Sequence, residues 1–219
     1  MGQDIVIICD GSFPRTEYPR YLIHSADFII CCDGALAKFL KNSSSIFGQE
    51  RLPDLVIGDM DTLSASMQKK HSDIIIKESE QEHNDQTKAV RWALNNIKDI
   101  DAIHILGATG GRADHTIGNL SLLMEYTRMF DLKDIILEAV SDEGIAFPIN
   151  DTIEIDCGEG REISIFSPDS SLKISSEGLL YKTDDVIFDN WWKATLNKAS
   201  RDRVKLTFSH RSIALIMMN

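Results

Sequence analysis

The chain is short of positive charge. Its 23 lysines and arginines stand against 34 aspartates and glutamates, for a net charge of −11 over 219 residues. That balance argues against broad contact with nucleic acid or an anionic lipid surface. It also means that a polyphosphate ligand has to be held through a metal ion and a few well-placed cations. Cys-x-x-Cys pairs are missing as well. The four cysteines are Cys9, Cys31, Cys32 and Cys157, and the first three lie in apolar runs. They read as small buried residues of a reducing compartment, not as a disulfide frame or a zinc site. No apolar stretch is long enough to span a membrane, and no signal-peptide pattern precedes the strand-like run at Ile5. The opening Met-Gly is no myristoylation signal, because Val6 stands where Ser or Thr is required. The expected setting is the cytoplasm. Long linkers, repeats and low-complexity tracts are also absent.

What is present is an alternation. Apolar, β-rich runs at Ile5–Cys9, Phe28–Cys32, Leu55–Ile57, Asp73–Ile76, Ile103–Leu106 and Ile135–Val140 alternate with helical stretches at Ala35–Leu40, Ser64–Lys70, Asp85–Ile97 and Ile117–Phe130. Continuous apolar strands between helices predict an α/β fold, with a doubly wound, mainly parallel sheet covered on both faces. After Ser141 the pattern changes. Thr152–Asp156, Glu162–Phe166, Leu172–Ser175, Leu179–Lys182, Val204–Phe208 and Ile213–Met217 are short runs, several alternating polar with apolar, separated by turn residues. They predict a C-terminal antiparallel β-sandwich, with Ser209-His210-Arg211 turning a hairpin between the last two strands. The expected division is an α/β domain over 1–141 and a β-sandwich domain over 142–219.

The stretch Leu55–Thr62 carries the most functional information. An apolar run stops at Gly58, and Asp59 and Asp61 follow two residues apart. On an extended backbone both side chains leave the same side. Adjacent carboxylates repel each other, and a hard divalent cation makes sense of them; Mg²⁺ takes one or two carboxylates together with nucleotide phosphates. The plain alternative is a solvated acidic turn.

Other loops share that position. Asp33 and Gly34, the polar loop ending at Asn84-Asp85, and Gly110, Gly111, Arg112 and Asp114 all lie just past predicted strands. In an open α/β sheet these strand ends form one edge, where ligands bind. Gly107–Gly111 lets backbone N–H groups approach an anion, although it lacks both the Gly-Lys-Ser/Thr ending of a Walker A loop and the spacing of a dinucleotide fingerprint. Arg112 offers a planar fork to phosphate oxygens, or alternatively an ion pair to Asp114. Asn84 suits a helix cap, and Lys88 falls three residues after Asp85 on nearly the same helix face. His83 and His115 flank these segments and are assigned no proton-transfer role.

At these residues the chain resembles the thiamine pyrophosphokinase (thiamine diphosphokinase) family. The matching blocks are CDGA at 32–35, GDMDT at 58–62, QEHNDQTKA at 81–89 and GATGGRADHTIGN at 107–119. A looser match runs through Gly178-Leu179-Leu180-Tyr181 and Ala194-Thr195-Leu196-Asn197. The resemblance implies a homodimeric, Mg²⁺-dependent enzyme that moves a diphosphoryl group from ATP to the hydroxyl of thiamine and releases AMP. It implies an α/β nucleotide-binding domain, a β-sandwich, and a thiamine pocket at the dimer interface. Asp59, Asp61 and Asp85 become the metal and catalytic carboxylates. Asp33, Gly34, Gln81, Lys88, Gly110, Gly111, Arg112 and Asp114 go to the nucleotide and phosphate site, and Thr195 and Asn197 to thiamine. Thr62, Asn84 and Leu196 depart from the family's usual Ser, Thr and Ser. Trp191 and Trp192 read as β-domain core, with the thiazolium cation as the other candidate for their ring faces. A thiamine- or nucleotide-sensing protein and a metal-dependent phosphohydrolase are the competing functions.

Overall fold

The computed structural model describes residues 2–219 and divides into two compact units. One takes the chain up to Leu122 together with Leu132–Asp142; the other takes Leu123–Asp131 and Glu143–Asn219. The expected break at 141/142 lies one residue from the Asp142/Glu143 division, but the assignment of Leu123–Asp131 to the second unit has no counterpart in the sequence reading.

The first unit is built on six strands: β1 (Gln3–Ile8), β2 (Phe28–Cys32), β3 (Leu55–Gly58), β4 (Ile75–Lys77), β5 (Ile100–Leu106) and β6 (Ile136–Val140). All pair in parallel, in the order β6-β5-β1-β2-β3-β4. Ile5 through Ile8 are fully buried, as are Ile29, Ile30, Cys31, Val56 and Ile57. Successive residues point to opposite faces, so both faces of these strands are covered. Each buried isoleucine contributes roughly 1.5–3 kcal/mol relative to an exposed one.

The helices are α1 (Glu17–Ser25), α2 (Ala35–Phe47), α3 (Ala65–Lys70), α4 (Asp85–Asn96) and α5 (Ala113–Met129). The Asn84 side chain caps α4 by accepting the Thr87 N–H at 3.0 Å. α1 went unread in the sequence, where its Pro19 and paired tyrosines hide an apolar side made of Pro19, Leu22 and Ile23. Sheet order reverses at β1, whose parallel neighbours β2 and β5 lie on opposite sides of it. A crevice lies at the carboxyl edge there, and the loops after β1 and β5, joined by the Gly11 and Ser12 N–H bonds to Gly107 and Thr109, form part of it.

The second unit pairs seven strands in antiparallel fashion: β7 (Ile145–Ile149), β8 (Ile153–Asp156), β9 (Glu162–Phe166), β10 (Ile174–Glu177), β11 (Asn197–Lys198), β12 (Arg203–Phe208) and β13 (Ala214–Met218). Within it, β11-β9-β13-β7 follow one another in one sheet and β10-β12-β8 form another. Ile163, Ile165, Ala214 and Ile216 of the first and Ile174, Val204, Leu206 and Phe208 of the second share one core. Strand β12 shows the cause, with Val204, Leu206 and Phe208 buried and Arg203, Lys205 and Thr207 exposed.

Three expectations need correcting here. The last two strands do not form a hairpin, because β12 and β13 lie in different sheets. Their connection crosses the sandwich and is pinned by the Asp169 carboxylate, which accepts from Ser212 Oγ at 2.7 Å and contacts His210 Nε2 at 3.1 Å. Leu179–Lys182 is not a strand; it makes only an isolated bridge from Leu179 to Ala199. Trp191 and Trp192 are 57% and 68% exposed, so they are not core.

Candidate active site

The crevice is a cavity of about 630 Å³, and residues from the ends of β1, β2, β3 and β5 and the starts of α4 and α5 line it. Asp33 follows β2 in a left-handed conformation, with φ of 37°. Its carboxylate accepts the Thr62 N–H at 2.9 Å and the Leu63 N–H at 3.2 Å, tying the β2 loop to the β3 loop. Between Asp59 and Asp61, buried Met60 has φ of 64°. The segment is therefore a turn and not the extended strand on which the sequence argument relied. The turn folds Asp61 back so that its N–H donates to Asp59 Oδ1 at 3.2 Å.

This turn changes which carboxylates meet. Asp33, Asp59 and Asp85 bring oxygens within 4.8 Å of one another. Asp61 lines the same cavity but stands outside this cluster, its carboxylate accepting from Thr62 Oγ1 at 3.0 Å. Of the expected carboxylates, Asp59 and Asp85 thus meet directly, Asp33 joins them, and Asp61 lies beside Asp33 in the same cavity. Gly58 makes the convergence possible. A Cβ there would lie 3.0 Å from both the Asp33 Cβ and the Asp85 carboxyl carbon.

Neighbours fix these groups. The Gln81 amide donates to Asp59 Oδ2 at 3.1 Å. The buried Lys88 ammonium donates to Asp85 Oδ1 at 3.2 Å and to the Glu78 carbonyl at 3.0 Å. Arg91, one turn further along α4, bonds Glu78 at 2.8 Å and Glu80 at 3.3 Å and so braces the loop that carries Gln81. Asn119 of α5 accepts from the Asn84 side chain at 2.9 Å and donates to the Ala108 carbonyl at 3.0 Å. The sequence reading missed Arg91 and Asn119 as site residues. The i+3 spacing of Arg91 from Lys88 was the available signal for the first.

Electrostatics separate the three carboxyls. Burial raises Asp33 above the ordinary aspartate value, against the pull of the Thr62 N–H. Burial likewise raises Asp85, opposed by Lys88 and reinforced by the charges of Asp59 and Asp33. Asp59 is lowered, chiefly by the Gln81 hydrogen bond. At the cavity floor the Cys9 contact and burial hold the Cys32 thiol well above the usual range, which makes it a poor nucleophile. Gly34, Gly110, Gly111 and Arg112 also line the cavity. Arg112 is exposed and ion-paired to Asp114 at 2.6 Å, which holds Asp114 down to about 2. Thr195 and Asn197 do not line this cavity. Asn197 is buried, accepts the Tyr181 N–H at 3.1 Å and donates to the Tyr181 carbonyl at 2.7 Å. Thr195 Oγ1 donates to the Trp192 carbonyl at 2.7 Å.

Residues 19–136 match the family model for the thiamin pyrophosphokinase catalytic domain, and residues 144–214 match that for the thiamin pyrophosphokinase substrate-binding domain. The chain belongs to the thiamin pyrophosphokinase family. Thiamin pyrophosphokinase 1 of Caenorhabditis elegans is 28% identical over 109 residues, 48% of this chain and 43% of the relative. Thiamine pyrophosphokinase of Bacillus subtilis (strain 168) is 36% identical over 76 residues, 33% and 35% of the two chains. The chain spans about half the length, or less, of the curated relatives it matches. Among solved structures, thiamine pyrophosphokinase from Bacillus subtilis superposes with a TM-score of 0.76 at 19% identity, covering 99% of both chains. Thiamin pyrophosphokinase from Candida albicans gives 0.78 at 17%, covering 99% of this chain and 88% of that one. At these identities the likeness shows a shared fold. Among the described residues, no helix is long and apolar enough to cross a membrane.

Proposed function

We propose that this protein is a thiamine diphosphokinase, transferring the diphosphoryl group of ATP to the hydroxyl of thiamine to give thiamine diphosphate and AMP. The observation that carries the reading is the meeting of Asp33, Asp59 and Asp85 beside the buried Lys88, in a chain of this family. An all-carboxylate donor set fits a hard cation, and the desolvation that raises Asp33 and Asp85 is what such a cation relieves. Mg²⁺ held by these three residues would neutralise phosphoryl charge and align the polyphosphate chain.

This chain's own groups do the rest. The turns at Gly110 and Gly111 leave backbone N–H groups open to phosphate oxygens, and the Arg112 fork can exchange Asp114 for them. Gln81 orients Asp59, and Lys88 holds Asp85. The thiamine oxygen attacks the β-phosphorus in line, the bond from that phosphorus to the α-phosphate's bridging oxygen breaks, and AMP departs. Asp61, the cavity aspartate outside the cluster, is assigned the hydroxyl proton. We assign nucleotide binding and chemistry to residues 1–141, and thiamine binding and homodimerisation to residues 142–219, where Tyr181, Trp191, Trp192 and Leu196 offer exposed apolar surface. Asn197, its amide spent on Tyr181, is left a supporting role. The cytoplasm is the proposed location.

The test is chromatography of a reaction containing ATP, Mg²⁺ and thiamine. AMP and thiamine diphosphate in equal amounts are expected. ADP in place of AMP, or phosphate release without thiamine, would overturn the reading.

A further inference from the structure

A second cavity, of about 480 Å³, opens beside the first and shares Gly11 with it. We propose that it binds the diphosphate group of a small organic ester directly, without a metal ion. Arg15, Arg20, Lys38 and Lys41 line it, and no carboxylate does. In a chain with a net charge of −11, four cations around one cavity run against the composition.

The partners of these cations show which are available. Lys38 is committed: its ammonium bonds the Asp10 carboxylate at 2.7 Å, the Asp10 carbonyl at 2.6 Å and the Gly11 carbonyl at 2.8 Å. Arg20 donates one N–H to Ser45 Oγ, a neutral group, at 2.7 Å. The Arg15 guanidinium and the Lys41 ammonium make no hydrogen bond or ion pair with the other described residues. The Arg20 and Lys41 heads are therefore free of a carboxylate partner, while Arg15 bonds none but lies within range of the Asp142 charge; together the three match the charge of a diphosphate ester. Guanidinium forks suit its paired oxygens.

The wall is built, not loose. Asp142 accepts the Arg15 and Thr16 N–H groups, each at 2.9 Å, and the Thr16 hydroxyl at 2.9 Å. Ser12 and Gly11 donate their N–H groups to the carbonyls of Thr109 and Gly107 at 2.8 and 2.9 Å. Phe13 and Pro14 add an apolar surface against which the organic part of the ester can lie. The volume falls within the usual range for small-molecule sites, about 300–1,000 Å³.

This inference does not depend on the proposed activity, and calorimetry in EDTA tests it with ADP and with inorganic pyrophosphate. Both should bind saturably without divalent cation, ADP the tighter because of the Phe13 wall. Arg15→Ala/Lys41→Ala should weaken both by about tenfold or more. Asp59→Asn, which alters the carboxylate cavity, should leave them unchanged. Absence of metal-free binding, or an unaltered double variant, overturns the proposal. Loss in Asp59→Asn does the same by moving the binding to the carboxylate cavity, and pyrophosphate tighter than ADP overturns the organic part. Both Arg15 and Lys41 are exposed, so the double variant is expected to fold. Should it melt early, Lys41→Gln alone must show weakening in the same direction.

Discussion

The Lys88 ammonium lies 3.2 Å from the Asp85 carboxylate with only 2% of its side chain exposed, while Asp85 keeps 28%. The charge of Lys88 is thus sealed behind the carboxylate that faces the cavity. Lys88→Met removes the counter-charge and the bond to the Glu78 carbonyl together. It should cost about 3 kcal/mol in urea unfolding and abolish AMP formation. A variant of unchanged stability and rate would show that the pair is incidental.

Gly58→Ala adds a methyl group against Asp33 and Asp85. The expected stability loss is about 1–3 kcal/mol, and the larger effect falls on the carboxylate cluster. Mg²⁺ affinity, read from the cation dependence of turnover, should fall by more than tenfold. Normal Mg²⁺ dependence in this variant would mean that the three carboxylates do not act together.

Asp59→Asn and Asp61→Asn should differ in kind. Asp59 belongs to the cluster, so its loss should raise the Mg²⁺ requirement. Asp61 stands outside it, so its loss should lower kcat while leaving that requirement nearly intact. Equal Mg²⁺ profiles for the two variants would contradict the division.

Asp33 and Asp85 have folded-state pKa values raised by burial. Their contribution to the stability of the metal-free protein is fully present below the ordinary aspartate value and is lost as pH rises through the raised values. Once ionised the two are crowded, and a divalent cation relieves that crowding. The rise in melting temperature on adding Mg²⁺ should be largest above the raised Asp33 and Asp85 titrations and shrink as pH falls through them. A rise independent of pH would count against these two residues as ligands.

Asn197→Ala leaves the Tyr181 N–H and carbonyl without their amide partner. The second unit should lose about 1–3 kcal/mol, seen as an earlier denaturant transition. A variant of full stability that fails only to bind thiamine would return Asn197 to the ligand-contacting residues.

Much of this was legible from residue order alone. Phe28–Cys32 and Glu162–Phe166 are strands with the expected bounds, and four of the expected loops line one cavity. Apolar runs ending in Gly-Asp are local signals that survive folding. The cluster's membership was not legible, because it turns on the left-handed Met60, and nothing in Asp-Met-Asp announces a positive φ at methionine. The crossing from β12 to β13 was equally hidden. Ser-His-Arg between two strands reads as a hairpin, and only Asp169, some 40 residues earlier in the chain, shows why it is not one. β7 escaped notice because Pro148 interrupts its sequence pattern.

The three tryptophans divide between the units. Trp92 stacks on Phe28 at 5.7 Å in the first, while Trp191 and Trp192 stand largely in solvent in the second. The chain therefore carries built-in fluorophores with unlike surroundings, a blue-shifted emitter and a red-shifted pair. Quenching by iodide should silence the pair first, which allows melting of the parallel sheet to be followed by its own colour, with no label attached.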